Sequence, residues 1–275
     1  MIKEYQNTIA GLSRSPLKFF LLVFALAIPF YMAGALANYQ LLPGVPLSGL
    51  GVLCPVGAAA ILVYYRKGIA GVKQLLNRSF DFKRVKAKIW YVPLTFLMPC
   101  VMLISYVVMR LTGLQLPTPQ FSVEKPFILF AVLFIPALCE ELGWSGYAIN
   151  PLQDRFGALK ASIFIGVIWA VWHFIPLLQA HRSWVFIAWW SLGTVAARII
   201  IVWLYNNTGK SVFVAAFFHT MMNLTWQLFP VNGSYYDPHV TGLIMVLVAT
   251  IVTFVWGPRT LAGYKTEMRA NSGLS

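Results

Sequence analysis

The sequence predicts an all-α protein, a polytopic bundle of about eight transmembrane helices. Of its 275 residues, 59% are hydrophobic and only 11% are charged. The mean hydropathy is +0.72. Soluble domains usually carry about 25% charged residues, so these values exclude an ordinary water-soluble globule. Long apolar runs, each near the roughly 20 residues that cross a bilayer core, recur along the whole chain. We therefore predict a single integral membrane domain over residues 1–275.

Eight apolar segments meet this length requirement. With boundaries good to about four residues, they are 19–37, 47–65, 89–109, 127–149, 161–178, 184–205, 211–229 and 240–256. The segment 211–229 is unusual because it contains a histidine and an asparagine, and 240–256 is short. The longest polar connection is 66–88, within which residues 71–82 have the pattern of an amphipathic surface helix.

The basic residues are distributed very unevenly between the two sides of the predicted bundle. The formal net charge is +13, and 17 of the 21 Lys and Arg residues fall in alternate connections on one side, eight of them in 66–88. Three lie on the other side, and Arg198 lies within a span. The positive-inside rule then places both termini in the cytoplasm, and we expect a prokaryotic cytoplasmic membrane. The basic connection is predicted to contact anionic lipid of the bilayer, with no nucleic acid as a partner.

A small set of polar residues lies inside the predicted spans. Ionisable groups within a bilayer are costly, so each is by default a functional-site hypothesis. The set consists of Glu140 and Glu141 in the fourth span, His173 in the fifth, Arg198 in the sixth, and His219 with Asn223 in the seventh. His219 and Asn223 are four residues apart and therefore share one helix face.

These residues are predicted to lie at a similar depth, in the cytoplasmic half of the membrane. At about 1.5 Å per residue, Glu140 lies about 15 Å from the cytoplasmic end of its span, and His173 about 18 Å. Arg198, at about 10 Å, has two open interpretations. It either extends to the inner surface or belongs to the site. A single intramembrane His or Asn also commonly serves only as an interhelical hydrogen-bonding group.

The residue types suit hydrolysis. Adjacent carboxylates at Glu140 and Glu141 point about 100° apart, so one can face a cavity while the other is held by a neighbouring helix. A carboxylate can activate water, and histidine or amide donors can stabilise an oxyanion. Glu140, His173 and His219 are also candidate ligands for Zn²⁺. The sequence contains no HExxH helix, which excludes a soluble-type zincin.

Three segments then carry a recognisable pattern. They are EELGWSGY at 140–147, WAVWH at 169–173 and HTMMN at 219–223. Together they resemble the CAAX-protease and bacteriocin-processing family of intramembrane proteases, which includes the Ras-converting enzyme. The family pattern reads EExxxR, then FxxxH, then HxxxN or HxxxD. The resemblance covers roughly 100 residues, a protease core at about 126–229.

The resemblance implies roles for the matching residues. Glu140 is the expected general base for the attacking water, His173 its partner in proton transfer or water positioning, and Glu141 an orienting carboxylate. His219 and Asn223 are expected to stabilise the oxyanion. The family is usually described as a metalloprotease, but a metal-free glutamate mechanism would use the same residues, so a requirement for Zn²⁺ stays open. The expected substrate is a peptide or membrane protein, such as a prenylated C-terminal tail or a leader peptide, cleaved near the cytoplasmic surface.

Two positions depart from the family pattern. Trp169 replaces the usual Phe, which is an exchange of one aromatic residue for another. Ser145 replaces the motif Arg, which removes a cation that could pair with a glutamate or a substrate carboxylate. We predict that, if Arg198 compensates, its guanidinium lies within salt-bridge reach of Glu140 or Glu141. A non-catalytic scaffold or bacteriocin-immunity protein with the same fold is the alternative, and a transporter using the cluster as an ion site is a weaker one.

Overall fold

A computed structural model describes residues 15–37, 39–42, 44–120, 122–231 and 233–263. These residues are predominantly helical, with one short antiparallel hairpin, so the predicted all-α class is confirmed. Within the described ranges, seven helical stretches are long and apolar enough to cross a membrane. The predicted cytoplasmic location of the termini concerns residues 1–14 and 264–275, which lie outside the described residues.

The helices follow one another with short connections. In chain order they are α1 (Pro16–Ala37), α2 (Leu53–Leu76), α3 (Tyr91–Leu111), α4 (Glu124–Gly143), α5 (Ile149–Phe156), α6 (Ala158–Trp172), α7 (Phe174–Gln179), α8 (Trp184–Asn207), α9 (Val212–Leu228) and α10 (Pro238–Trp256). A hairpin of β1 (Gln40–Leu42) and β2 (Val45–Pro46) follows α1. 3₁₀ turns occupy Leu47–Val52, Asn77–Arg84 and Lys88–Trp90, and a π-helical segment, Trp144–Ala148, joins α4 to α5.

Helix α9 corresponds to the seventh predicted span, 211–229. It has 17 residues, or about 26 Å, slightly less than the roughly 30 Å of a hydrocarbon core. It packs mainly against α4, while α8 packs against α6 and α10. Most side chains of the second half of α8 and of α9 are buried. The helices that carry Arg198, His219 and Asn223 are therefore largely buried in the bundle.

Two glycines allow close approach between the interior helices, as small residues do in membrane bundles. A Cβ atom at Gly143 would lie 2.6 Å from the carbonyl oxygen of Pro55, so α4 approaches α2 directly after the glutamate pair. A Cβ atom at Gly166 would lie 2.9 Å from the Cα of Val195, where α6 meets α8. The absence of a side chain at both positions lets the backbones approach closely next to the polar cluster.

Several helices extend beyond their predicted ends. The continuous stretch Glu124–Phe156 passes through the π-helical segment, whereas the fourth span was predicted to end near 149. Helix α2 runs to Leu76 with a kink at Gly68, whose φ of 59° favours glycine. Residues 71–82 are therefore the end of α2 and a 3₁₀ turn rather than a separate amphipathic helix.

The two ends of the bundle differ in character. At the end that we call the basic end, the turn 77–84 contacts the start of α9. Asp81 accepts hydrogen bonds from the Ser211 hydroxyl (2.7 Å) and from the backbone N–H groups of Val212 (3.2 Å) and Phe213 (3.1 Å). A carboxylate at a helix N-terminus satisfies the unpaired N–H groups and complements the helix dipole. Residues 39–42, 44–46, 180–183 and 233–237 lie at the opposite end, since they connect the other ends of the same helices.

Candidate active site

The structure brings together the residues that the sequence singled out. Glu140, His173, His219 and Asn223 line one cavity with a volume of about 590 Å³. They come from α4, from the residue after α6, and from one face of α9. Glu141 and Arg198 lie behind this wall and are fully buried.

Glu140 is held by two indole groups. Its Oε2 accepts hydrogen bonds from Nε1 of Trp169 (2.7 Å) and from Nε1 of Trp144 (3.3 Å). Within the described ranges, Oε1 of Glu140 accepts no hydrogen bond, and the residue lines the cavity. The carboxylate is therefore oriented through one oxygen, while the other oxygen is available to a group in the cavity.

The role of the two tryptophans was missed by the sequence analysis, which treated Trp169 as an aromatic exchange. A phenylalanine has no N–H group and could not donate to Glu140. A buried tryptophan N–H usually requires an acceptor, and Trp144 follows Glu140 by four residues, one helical turn. This spacing was the available signal for Trp144, whereas the contact of Trp169 depends on how α6 packs against α4.

Glu141 forms the centre of a buried ionic cluster. Its Oε2 accepts hydrogen bonds from Nη1 of Arg198 (2.8 Å) and from the hydroxyl of Ser145. Its Oε1 lies 3.2 Å from Nδ1 of His219. Glu141 thus links Arg198 to His219 and orients the imidazole ring, as a second partner does for many active-site histidines.

The prediction that Arg198 lies within salt-bridge reach of a motif glutamate is confirmed. Its side chain is 1% exposed and its guanidinium stacks over the ring of Trp169 at 4.2 Å. The alternative, in which Arg198 extends to the membrane surface, is therefore wrong. Both departures from the family pattern participate in the cluster: Ser145 contacts Glu141, and Trp169 contacts Glu140.

The two histidines have defined orientations. Nδ1 of His173 donates to the carbonyl oxygen of Trp169 (2.8 Å), so its Nε2 is the nitrogen with a lone pair. Nδ1 of His219 faces the Glu141 carboxylate and leaves its Nε2 for a group in the cavity. Asn223 lies one turn beyond His219, and its side-chain amide makes no hydrogen bond with the part of the chain that the structure describes.

The donor set does not fit a metal ion in this arrangement. Among the described residues, no three His, Cys, Asp or Glu side chains lie close enough together to hold one. Glu140, His173 and His219 were the candidate Zn²⁺ ligands; each keeps one donor atom towards the cavity, but the three side chains do not form such a group. No catalytic step is therefore derived through a metal.

The cavity opens away from the basic end. Its lining is mostly apolar and reaches Gly44, Arg182 and Tyr236, which belong to the opposite end. Arg78, in the turn at the basic end, donates to the carbonyl oxygen of Gly146, which is six residues beyond Glu140. Glu140 therefore lies about 9 Å along the helix from this contact. The polar groups meet as predicted.

Comparison with known proteins identifies the same segment. Residues 122–225 match the sequence profile of the type II CAAX prenyl endopeptidase Rce1-like family. The chain is 29% identical to CAAX prenyl protease 2 of Methanococcus maripaludis over 90% of this chain and 96% of that protein. It is 23% identical to lysostaphin resistance protein A of Staphylococcus haemolyticus over 51% of this chain and 40% of that protein.

The profile match contains all three motifs, and the alignment with the archaeal protein extends over nearly the whole bundle. Together with the apolar helices, this supports an integral membrane protein whose family-level activity is that of an intramembrane endopeptidase. The comparisons therefore agree with the family that the motifs indicated: residues 122–225 resemble the type II CAAX prenyl endopeptidases, and nearly the whole chain aligns with a CAAX prenyl protease.

Proposed function

We propose that this protein hydrolyses a peptide bond within the membrane, using a water molecule that Glu140 activates. The observation that carries the proposal is the division of labour between the two adjacent carboxylates. Glu140 faces the cavity with one free oxygen, and Glu141 is enclosed by Arg198, Ser145 and His219 behind it. Only the first carboxylate is placed to act on a substrate.

In the proposed reaction, Oε1 of Glu140 removes a proton from the water as its oxygen attacks the carbonyl carbon of the scissile bond. Nε2 of His173 accepts a hydrogen bond from the same water and orients it. The amide N–H of Asn223 donates to the carbonyl oxygen as negative charge develops on it, and His219 donates through Nε2–H when both of its ring nitrogens carry a proton. When the carbon–nitrogen bond breaks, Glu140 returns its proton to the leaving amine, which restores the carboxylate.

The glutamate mechanism is preferred here to a metal-dependent one. In the arrangement described above, Glu140 is anchored by indole N–H groups, Nε2 of His173 faces the cavity as an acceptor for the water, and Nε2 of His219 faces the cavity beside Asn223. Hydrogen bonding of this kind positions a general base without a cation. We therefore propose a metal-independent endopeptidase.

The charge distribution and the name of the archaeal relative indicate different sides of the membrane for substrate entry. The Lys and Arg distribution favours a cytoplasmic basic end, and the mouth of the cavity would then face the other side of the membrane. The name of the Methanococcus maripaludis relative indicates a prenyl CAAX substrate for that protein; such a substrate approaching from the cytoplasm would need the opposite orientation. With the charge-based orientation, we propose a leader peptide or a membrane protein as the substrate, which reaches Glu140 through the cavity from the non-cytoplasmic side.

The test is cleavage by the purified protein in detergent, measured by mass spectrometry on a library of peptides with apolar segments. Glu140→Gln removes the base but keeps the shape and the acceptor oxygen, and turnover is expected to fall at least about 100-fold. The matched control is Cys139→Ala, the preceding residue, which is expected to retain activity. Near-wild-type turnover in Glu140→Gln would show that Glu140 is not the base.

A second candidate is a non-catalytic resistance or immunity protein with the same fold. It is favoured by the similarity to lysostaphin resistance protein A and by the serine at the motif arginine position. In this case the wild type would cleave no peptide, and Glu140→Gln would retain any cellular phenotype of the wild type. Cleavage that depends on Glu140 would exclude it.

A further inference from the structure

We propose that a second cavity, at the basic end of the bundle, binds the phosphate group of an anionic phospholipid. This cavity has a volume of about 440 Å³ and is distinct from the candidate active site. We call it the basic pocket. Its polar lining comes from the end of α2 and the following turn: Arg66, Lys67, Gln74, Asn77, Arg78 and Arg84.

The basic pocket keeps a positive charge although it contains one acidic residue. Asp81 lies 3.6 Å from Nε of Arg78 and 3.4 Å from Nε of Arg84. The same carboxylate accepts three hydrogen bonds from the start of α9. One carboxylate, shared in this way, cannot neutralise four cations. An anion with several acceptor oxygens, above all a phosphate, matches this surplus of donors.

The wall of the basic pocket is preorganised. Arg78 donates to the carbonyl oxygens of Gly146 (2.9 Å) and Lys210 (2.6 Å) and to the hydroxyl of Tyr205 (3.1 Å). Its charge is therefore fixed in position before any ligand binds. Arg66 and Lys67, by contrast, form no ion pair with the carboxylates of the described residues, so they can turn to an incoming anion.

The surroundings favour a lipid over a soluble phosphate. Tyr64 and Tyr65, which directly precede Arg66, are 56% and 82% exposed, and Phe80 is 71% exposed. Exposed aromatic side chains next to cations are typical of the headgroup region of a bilayer. Ile69 and Leu76 on the same helix are also exposed and offer an apolar surface to an acyl chain. Basic pockets between helices at this level are known sites for anionic headgroups.

The basic pocket is joined to both helices that carry the glutamate and histidine motifs. Arg78 holds Gly146 in the π-helical segment, five residues beyond Glu141. Asp81 holds the start of α9, which carries His219. A phospholipid bound between them would therefore stabilise the folded bundle, since it binds only the assembled pocket.

The experiment measures lipid retention by native mass spectrometry of the purified full-length protein. Phosphatidylglycerol and phosphatidylcholine with identical acyl chains are titrated separately, and inorganic phosphate alone is the third arm. We expect the wild type to retain phosphatidylglycerol preferentially and to unfold at a higher temperature with it. The double variant Arg66→Gln/Lys67→Gln should bind it roughly 30-fold more weakly, since each cation near the surface contributes about fivefold.

The matched control is Lys83→Gln/Lys86→Gln, which removes the same charge from the same connection but lies outside the basic pocket. It should retain wild-type affinity. An equal loss in both double variants would show a diffuse surface charge instead of a site. Equal retention of the two lipids, or saturation by inorganic phosphate alone with no further effect of phosphatidylglycerol, would overturn the lipid assignment. None of these readouts requires proteolytic activity.

Discussion

Replacing Arg198 with leucine would test whether this residue takes the place of the arginine that the family motif has at position 145. Nη1 of Arg198 lies 2.8 Å from Oε2 of Glu141, and the two side chains are 1% and 0% exposed. Arg198→Leu would leave a buried carboxylate without its cation. Breaking a buried ion pair from one side typically costs about 3–5 kcal/mol, which is a large part of the stability of an average domain.

Activity should fall as well, because the cluster positions His219. Oε1 of Glu141 lies 3.2 Å from Nδ1 of His219, so a displaced carboxylate no longer orients the imidazole ring. A displacement of about 1 Å in an active-site group can cost about 100-fold in rate. We therefore expect a loss of this order in kcat, with a smaller change in KM because Arg198 does not line the cavity.

The assay combines thermal unfolding in detergent with peptide cleavage, and Arg155→Leu is the matched control. Arg155 is exposed on α5, and its replacement should change stability by no more than about 0.5 kcal/mol. Arg198→Lys keeps the charge without the planar fork and should retain an intermediate activity, which covers the case in which Arg198→Leu does not fold.

Restoring the motif arginine provides the decisive comparison. Adding Ser145→Arg to Arg198→Leu returns a guanidinium one helical turn beyond Glu141, and part of the activity should return with it. The reasoning is refuted if Arg198→Leu unfolds and cleaves like the Arg155→Leu control. It is also refuted if Arg198→Lys is no more active than Arg198→Leu.

Three further predictions concern the base, the orientation and the metal. Trp169→Phe removes the 2.7 Å indole hydrogen bond to Glu140. A hydrogen bond to a charged group contributes about 1.5–3 kcal/mol, so kcat should fall at least about tenfold. An unchanged kcat would show that this bond does not position the base. Reporter fusions after residues 40, 80, 180 and 235 should place only the second in the cytoplasm; a non-cytoplasmic signal at 80 would reverse the orientation and open the cavity to the cytoplasm. Dialysis against a zinc chelator should leave cleavage unchanged, whereas activity that is lost and then restored by Zn²⁺ would contradict the metal-independent mechanism.

Much of the fold could be predicted because the membrane imposes a local requirement. A bilayer needs a continuous apolar helix of about 20 residues, and such runs are visible in the sequence alone. The boundaries were less accurate: α2 and the stretch from Glu124 to Phe156 continue well past the predicted ends. Polar residues near the membrane surface remain helical as long as their backbone hydrogen bonds continue, and hydropathy does not detect this.

The candidate site was predictable in its membership but only partly in its contacts. The cost of burying ionisable groups in a bilayer made Glu140, Glu141, His173 and His219 conspicuous, and the motif order supported the family. The bond from Trp169 to Glu140 and the open end of the cavity were not foreseen. The reach of Arg198 to Glu141 was stated only as one of two interpretations. These contacts and the shape of the cavity depend on which helices are neighbours.

The sequence by itself thus determined that the chain has several membrane-spanning helices, which polar residues it buries there, and the family that it resembles. The reason is that hydrophobic length and the penalty for intramembrane charge act on each segment separately. The tertiary structure decided that Arg198 pairs with Glu141, that two indoles hold Glu140, and that a basic pocket forms beside α2. These features arise from the packing of helices distant in sequence, where close backbone contacts select the neighbours.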